Sequence, residues 1–504
     1  MKLSLTLAVG LTSSVLASPT GFKNFKPEDV IERDVVILGG GAAGAYAAVR
    51  LRDAGKSVVV IEKEDHLVSF LKAFNTPSSN ALDKQGGHVN TYSTPESPFA
   101  VDYGVIAYLE LPGVADFFKR FDIDLFPAPD PGFSKKYIDF TTGRALTSGN
   151  PITAASNPRA VQAALSTYGQ LAAAYLNHTF PSLAALPTGA ALPADLALPF
   201  GDFVAKYNLQ AALPTIWGFV SFTGDVLRES TAYVLNQFGA VHLNATANSG
   251  LLMTGTLNNS VLYDRIAAHL GPAAVLYGAT AVRAVERTAD AVALVVAVDD
   301  GCRKLVKAKK LLVTIPPLAS TLAPIFGGPA ADEEELDVFS RWTYRSGYVG
   351  VLNGTGLPDG VEVVNASPSN ASLNLPGGGG ESFVWNVISS GLLPGVFRTN
   401  VVGDEGLTAE GAKGLVADAL SRIGGAGTRN GTQPPTWLAF ADHKPLQVRA
   451  GREDLLDGFY RRAFGLNGRR STYYAGAAWV SDYTSVHWMY LERTILPMML
   501  EALG

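Results

Sequence analysis

The chain has 504 residues, 47% of them hydrophobic and only 17% charged, which allows a large buried core and excludes gross disorder. A net charge of −5 without any Lys/Arg run excludes electrostatic nucleic-acid binding. Seven scattered His and a single Cys exclude a disulfide scaffold and a dense metal cluster, and Cys302 reads as a structural thiol.

The chain opens with a secretory signal peptide over residues 1–17. Lys2 supplies the charged start, residues 3–16 the apolar run, and Val15-Leu16-Ala17 the small-residue cleavage site. That run is too short to span a bilayer, and no later apolar segment is long enough for a membrane helix. Asn-x-Ser/Thr sequons at Asn177, Asn244, Asn258, Asn353, Asn365, Asn370 and Asn430 agree with secretion. In an oxidising compartment the lone Cys302 has to stay buried or pair between chains.

Residues 34–62 read as strand, glycine turn, helix, strand. "DVVIL" is a continuous apolar run of the kind buried on both faces of a sheet. "GGGAAG" follows at once, then "AYAAVRLRDAG" at helical spacing, then "KSVVVIE", a second buried strand ending in an acid. Residues 111–264 read as mostly helical and Ala-rich. "AAVLYGATAVRAVERTADAVALVVAVDDG" alternates as a β-meander does, and "AKKLLVTIPP" is a buried strand stopped by Pro316 and Pro317. Residues 331–430 mix strands with Gly-rich turns. "TYYAGAAW" is a strand entering a small-residue turn, and Ser485 and Val486 open a last helix.

Gly39-x-Gly41-x-x-Gly44 stands where a dinucleotide fingerprint belongs, after a strand and opening a helix. Gly39 permits the tight turn, Gly41 lets backbone approach a pyrophosphate, and Gly44 allows close helix–strand packing. The pyrophosphate then rests on free N–H groups at the helix start, beside Ala42 and Ala43. Glu62, followed by Lys63, is placed to accept from ribose hydroxyls. The fingerprint alone does not separate NAD from FAD. A secreted enzyme has little access to free nicotinamide, whereas FAD can be loaded during folding and retained.

The stretches "DVVILGGGAAGAYAAVRLRDAGKSVVVIE", "GGHVNTY", "VDYGV", "LLVTIPP" and "YYAGAAWVSDYTSVHW" resemble the FAD-dependent amine-oxidase-like superfamily, and within it fungal secreted flavoproteins of the β-cyclopiazonate dehydrogenase type. The resemblance implies a two-domain α/β fold. A Rossmann-like FAD-binding domain is assembled from residues 30–110, 265–330 and 431–504, with an inserted mixed α+β substrate domain from 111–264 and 331–430. It implies that Gly86, Gly87 and His88 lie along the pyrophosphate and that Val282 meets the adenine. Asp102-Tyr103-Gly104 then passes near the isoalloxazine, and Ser485 and Val486 aim the last helix at the flavin N1–C2=O. The implied activity is oxidation of a small organic molecule by hydride transfer to flavin N5. The electron acceptor stays open, O2 being one choice.

Many amine oxidases of the superfamily hold a Lys near flavin N5. Tyr348 aligns with that position here, and Lys444 reads as a solvated loop residue. With Trp479 offering a flat surface beside the small-residue turn, this favours an aromatic or alkaloid-like substrate. Trp488 reads as core packing. The alternatives are an amine or polyamine oxidase, a prenyl-thioether oxidase, and a secreted flavin-binding glycoprotein without turnover.

Joining Leu67 directly to Gly86 gives "EKEDHLGGH", the superfamily spacing between the strand-end acid and the Gly-Gly-His. The surplus, residues 68–85, starts with Val68, whose codon begins GT, and ends with Gln85, one of whose codons is CAG. It reads either as a translated in-frame intron or as a surface loop, and a longer loop costs only about 0.6 kcal/mol per doubling. Deleting residues 68–85 is therefore expected to leave flavin absorbance of the purified protein intact, and sequenced transcripts are expected to join the codons of Leu67 and Gly86. Loss of flavin on deletion would make the segment structural.

Overall fold

Val35, Val36, Ile37 and Leu38 close the strand Val30–Leu38 and are all buried, as a strand covered on both faces must be. A computed structural model describes residues 25–67, 71–72, 87–146, 157–248, 250–299, 301–328, 331–369, 372–431 and 433–504. The signal peptide, Gly86 and Asn370 therefore lie outside the described residues.

Val30–Leu38 is central in a seven-stranded sheet. On one side it pairs in parallel with Val58–Ile61, which in turn pairs with Val275–Leu276. On the other it pairs in parallel with Arg303–Val313. The far edge of that long strand is shared. Its first part pairs antiparallel with Val292–Val298, and Leu311–Val313 pair in parallel with Thr472–Tyr474. The expected meander is present, with Ala279–Arg287 antiparallel to Val292–Val298. The helix Ala42–Asp53 bridges Val30–Leu38 and Val58–Ile61, completing the βαβ unit. Cys302 lies exposed in the turn between Val292–Val298 and Arg303–Val313, so burial, one of the two arrangements expected of it, is not the one adopted.

A second sheet of eight strands runs in the order Thr436–Asp442, Trp342–Asn353, Phe397–Gly403, Phe383–Ser389, Val361–Asn365, Ser134–Asp139 and Arg144–Ala145, with Leu446–Ala450 also on Trp342–Asn353. One face packs on the helix Ala409–Gly425, where Ala412, Val416, Leu420 and Ile423 meet Leu352, Val363, Val387 and Val401. Residues 111–264 are mostly helical, as expected, but Ser134–Asp139 among them is a strand that pairs in parallel with Val361–Asn365. It is polar and buried only at its end, so its sequence has no strand period. Thr436–Asp442 and Leu446–Ala450 belong to this second sheet, so the boundary expected at 430 moves to about 450.

Asn365 is buried, accepts from Phe140 N (3.2 Å) and donates to Val384 O (2.8 Å), so the fold takes this sequon out of reach of a glycan. Asn177 and Asn430 are exposed. No helix among the described residues is long and apolar enough to cross a membrane.

A buried ion pair ties the seven-stranded sheet to the helix Glu333–Ser340, which leads into the second sheet. Arg287, on Ala279–Arg287, donates from Nη1 and Nη2 to Glu335 Oε2 and Oε1 at 2.7 and 2.6 Å, and both side chains are fully buried. Tyr474 Oη donates to the same carboxylate at 2.8 Å, and Arg287 also reaches Thr472 Oγ1. Removing one partner strands the other charge without water. Glu335→Leu is expected to cost about 3–5 kcal/mol in denaturant unfolding, and a loss below about 1 kcal/mol would show the pair to be dispensable.

Candidate functional site

Gly39 ends the first strand with φ +100°, a backbone conformation that side chains rarely adopt, and a Cβ there would lie 2.7 Å from Ile315 Cγ2. A Cβ on Gly44 would sit 1.9 Å from Gly39 O, so helix Ala42–Asp53 packs onto the turn only because that atom is missing. Gly41 differs. No atom lies within 4 Å of its would-be Cβ, and its φ of −67° suits any residue. Nothing in the protein demands glycine there; the space opens onto a cavity of about 560 Å³. That is a cradle which a side chain would fill.

Gly39, Gly41, Ala42, Ala43, Glu62, Lys63, Gly87, His88 and Val282 all line this cavity. The Glu62 carboxylate is nearly buried and accepts from Gly40 N (2.6 Å) and Glu64 N (3.0 Å), which holds its face toward the space. Val282 stands at a β-bulge between Ala281 and Arg283, which re-aims it: it is 37% exposed, in the cavity wall. Ser485 and Val486 do not line the cavity; they are buried in the first turn of the helix Thr484–Tyr490 while Thr484 and His487 face it.

Four polar groups stand together in the cavity wall, and of these only His88 was legible in the sequence. The His88 ring stacks on His443 with centroids 4.7 Å apart, and His88 Nδ1 lies 3.5 Å from Asp482 Oδ1. His443 Nε2 meets Asn90 Oδ1 at 2.5 Å, and His487 Nε2 is buried without a partner. Burial works against charge on His88, but the Asp482 carboxylate outweighs it and raises the imidazole above its ordinary range. Burial likewise opposes ionisation of Asp482, yet His88 holds it below the usual carboxylate range. Burial pushes both His443 and His487 down, and the neighbouring His88 lowers both further. The wall therefore favours charge on the His88–Asp482 pair and disfavours it on the other two imidazoles. The stretch "ADHKP", which holds His443, was the only signal of that residue in the sequence.

A second cavity of about 890 Å³ lies over the face of the eight-stranded sheet that turns away from Ala409–Gly425. Phe219, Phe222, Trp385, Tyr137 and Tyr103 give it aromatic walls, and Lys135, Glu362, Asn386, Arg398 and Asn400 its polar floor. One chain segment borders both spaces. Tyr103 and Gly104 line the second and Val105 the first, and Val105 N donates to His88 O at 2.7 Å.

Tyr348 and Trp479 line neither cavity, which corrects their expected place beside a substrate. Tyr348 points to the covered face of the second sheet, against Phe440, and its hydroxyl donates to Leu407 O at 2.6 Å. Trp479 is buried against Trp342 and Tyr474. Trp488 is core, as expected, stacked on Tyr46 with its Nε1 donating to Ala42 O at 3.1 Å. Lys444 reaches the edge of the first cavity, but its Nζ donates to Glu405 O. Among the described residues no group of three or more His, Cys, Asp or Glu is placed to hold a metal.

Comparison with known proteins converges on this geometry. A family model described as an FAD binding domain matches residues 34–74. The chain is 32% identical to a β-cyclopiazonate dehydrogenase of Aspergillus oryzae over 93% of both proteins. It is 31% identical to the FAD-dependent oxidoreductase pigF of Monascus ruber, covering 100% of this chain and 99% of the relative. Among solved structures, a CLA-producing fatty acid isomerase from P. acnes superposes with a TM-score of 0.65 at 19% identity, over 92% of this chain and 98% of that one. A putrescine oxidase bound to putrescine gives 0.60 at 16%, over 93% and 99%. These two likenesses concern the fold alone.

The free space at Gly41 makes a clean test. Gly41→Leu is expected to fold with an unchanged circular dichroism spectrum and melting curve but to purify without flavin absorbance, whereas Gly44→Leu should fail to fold. A yellow Gly41→Leu protein would mean the cofactor does not pass over this turn.

Proposed function

The chain belongs to the family of FAD-dependent oxidoreductases that includes β-cyclopiazonate dehydrogenase, and from that premise we propose that it is a secreted enzyme oxidising a small aromatic or alkaloid-like molecule by hydride transfer to flavin N5. Its cofactor is FAD, which supplies the redox chemistry while the protein supplies position and field. The turn at Gly39 and Gly41, with Ala42, Ala43 and Gly44 at the helix start, would receive the pyrophosphate together with Gly87 and His88. Glu62 and Lys63 serve the ribose, and Val282 the adenine. The helix Thr484–Tyr490, whose first turn holds Ser485 and Val486 and whose Thr484 lines the cavity, would supply free N–H groups that favour negative charge on a reduced flavin.

The observation that carries the substrate class is the aromatic chamber that shares the wall segment Tyr103–Val105 with the first cavity. Trp385 and Phe222 meet edge to face at 6.0 Å and offer flat apolar surface on which an aromatic ring can stack. A simple alkylamine makes little use of such walls. Secretion is supported by the opening seventeen residues and by the exposed sequon asparagines Asn177 and Asn430.

The test offers indole-containing alkaloids and spermine to the same enzyme without oxygen and follows flavin bleaching. The alkaloids are expected to reduce the flavin faster; faster reduction by spermine would overturn the substrate class. Repeating the reaction in air with peroxide detection then decides whether O2 is the acceptor.

A further inference from the structure

Arg398 is a guanidinium set in an apolar chamber without a carboxylate of its own. It stands on the strand Phe397–Gly403 and lines the second cavity. Its Nε is buried and has no hydrogen-bond partner, and Nη1 donates to the backbone carbonyl of Asp102 at 3.3 Å. The Asp102 carboxylate is engaged elsewhere, by Thr91 Oγ1 and by the N–H of Asn259 at 3.2 Å, and burial pushes its pKa up to about 7.

The other charges of the chamber cancel. Lys135 Nζ lies 3.2 Å from Glu362 Oε2, and Glu362 Oε1 also accepts from Asn386 Nδ2 at 3.1 Å. Asn400 Nδ2 is used on Asn386 Oδ1 at 2.8 Å. The lining is left with one net positive charge, on Arg398, which Asp102 and Glu362 attract from a distance while no carboxylate hydrogen-bonds to it. An arginine cannot shed its proton to escape burial, so an anionic partner is the arrangement that satisfies it.

We infer that the second cavity recognises substrates carrying an anionic oxygen group, a carboxylate being the simplest case, which accepts from Arg398 while the flat body of the molecule lies against Trp385 and Phe222. This rests on the second cavity being the substrate chamber. It assigns Arg398 a binding role: the residue orients the molecule and selects acids over neutral or cationic analogues of the same shape. Polyamines are disfavoured on the same ground, since they would bring positive charge to the Arg398 guanidinium.

The experiment is calorimetric titration of the FAD-loaded, oxidised enzyme with indole-3-propionate and with indole-3-propionamide, which share a shape while the amide lacks the negative charge. The carboxylate is expected to bind about tenfold tighter or more, the scale of one charge-assisted hydrogen bond. Arg398→Met should erase the difference and Arg398→Lys keep most of it, with flavin absorbance showing that each variant is folded and loaded. Equal affinity in the unaltered enzyme, no binding of the carboxylate, or a preference that survives Arg398→Met would overturn the inference. An Arg398→Met protein that loses its flavin while Arg398→Lys retains it would assign the residue to the cofactor instead, and so overturn it too. Because no turnover is involved, an enzyme that binds the acid yet is never reduced by aromatic substrates would sink the oxidation reading alone.

Discussion

Three stretches of chain cross at Thr314, and the site depends on how closely they do so. The Thr314 hydroxyl lies within hydrogen-bonding distance of two carbonyls, Leu38 O at 2.8 Å and Gly39 O at 3.0 Å. A Cβ on Gly39 or on Gly44 would come within 2.9 Å of that same hydroxyl, and one on Gly476 within 3.0 Å of Thr314 O. Side chains at these places would push the first turn, the Thr-Ile-Pro-Pro segment and the small-residue turn apart. All three line the cofactor cavity. Its shape is thus set by contacts between backbones, which leave little room for adjustment.

On this rigid frame hangs a polar wall of another kind. The His88–Asp482 pair is held near the cavity by two different elements, and its stacked neighbour His443 comes from the end of the second sheet. Low polarity makes each charge there more consequential than it would be in water. An ion pair beside imidazoles that burial keeps from charging can present donors to an anionic ligand without accumulating charge. The Trp488 contact to Ala42 keeps the last helix seated on the first, so this wall and the glycine turn keep their spacing.

The relatives share about a third of their residues with this chain along nearly its whole length, whereas the solved structures share the frame at under a fifth identity. Side chains on strand faces, such as those in the walls of the second cavity, can be exchanged without moving the frame, whereas a backbone crossing such as that at Thr314 has room for few residues.

What the sequence determined by itself was local. The strand–glycine turn–helix–strand unit, the acid at Glu62 and the meander each follow from rules that act within a few dozen residues: burial on both faces, positive φ, and the period of two. The tertiary structure alone decided which side chains face which space. Tyr348 sits on the strand expected of it, but the helix Ala409–Gly425 covers that face and turns the residue into core. Val282 reaches the cavity because a bulge breaks the alternation that sequence reading extends. Ser134–Asp139 becomes a strand because Val361–Asn365, more than 220 residues away, offers it hydrogen bonds, and Asn365 loses its place on the surface to the same pairing. Arg398 was unremarked for a related reason. An arginine in a strand looks solvated until the neighbours that bury it are known, and those neighbours come from segments that only the folded chain brings together.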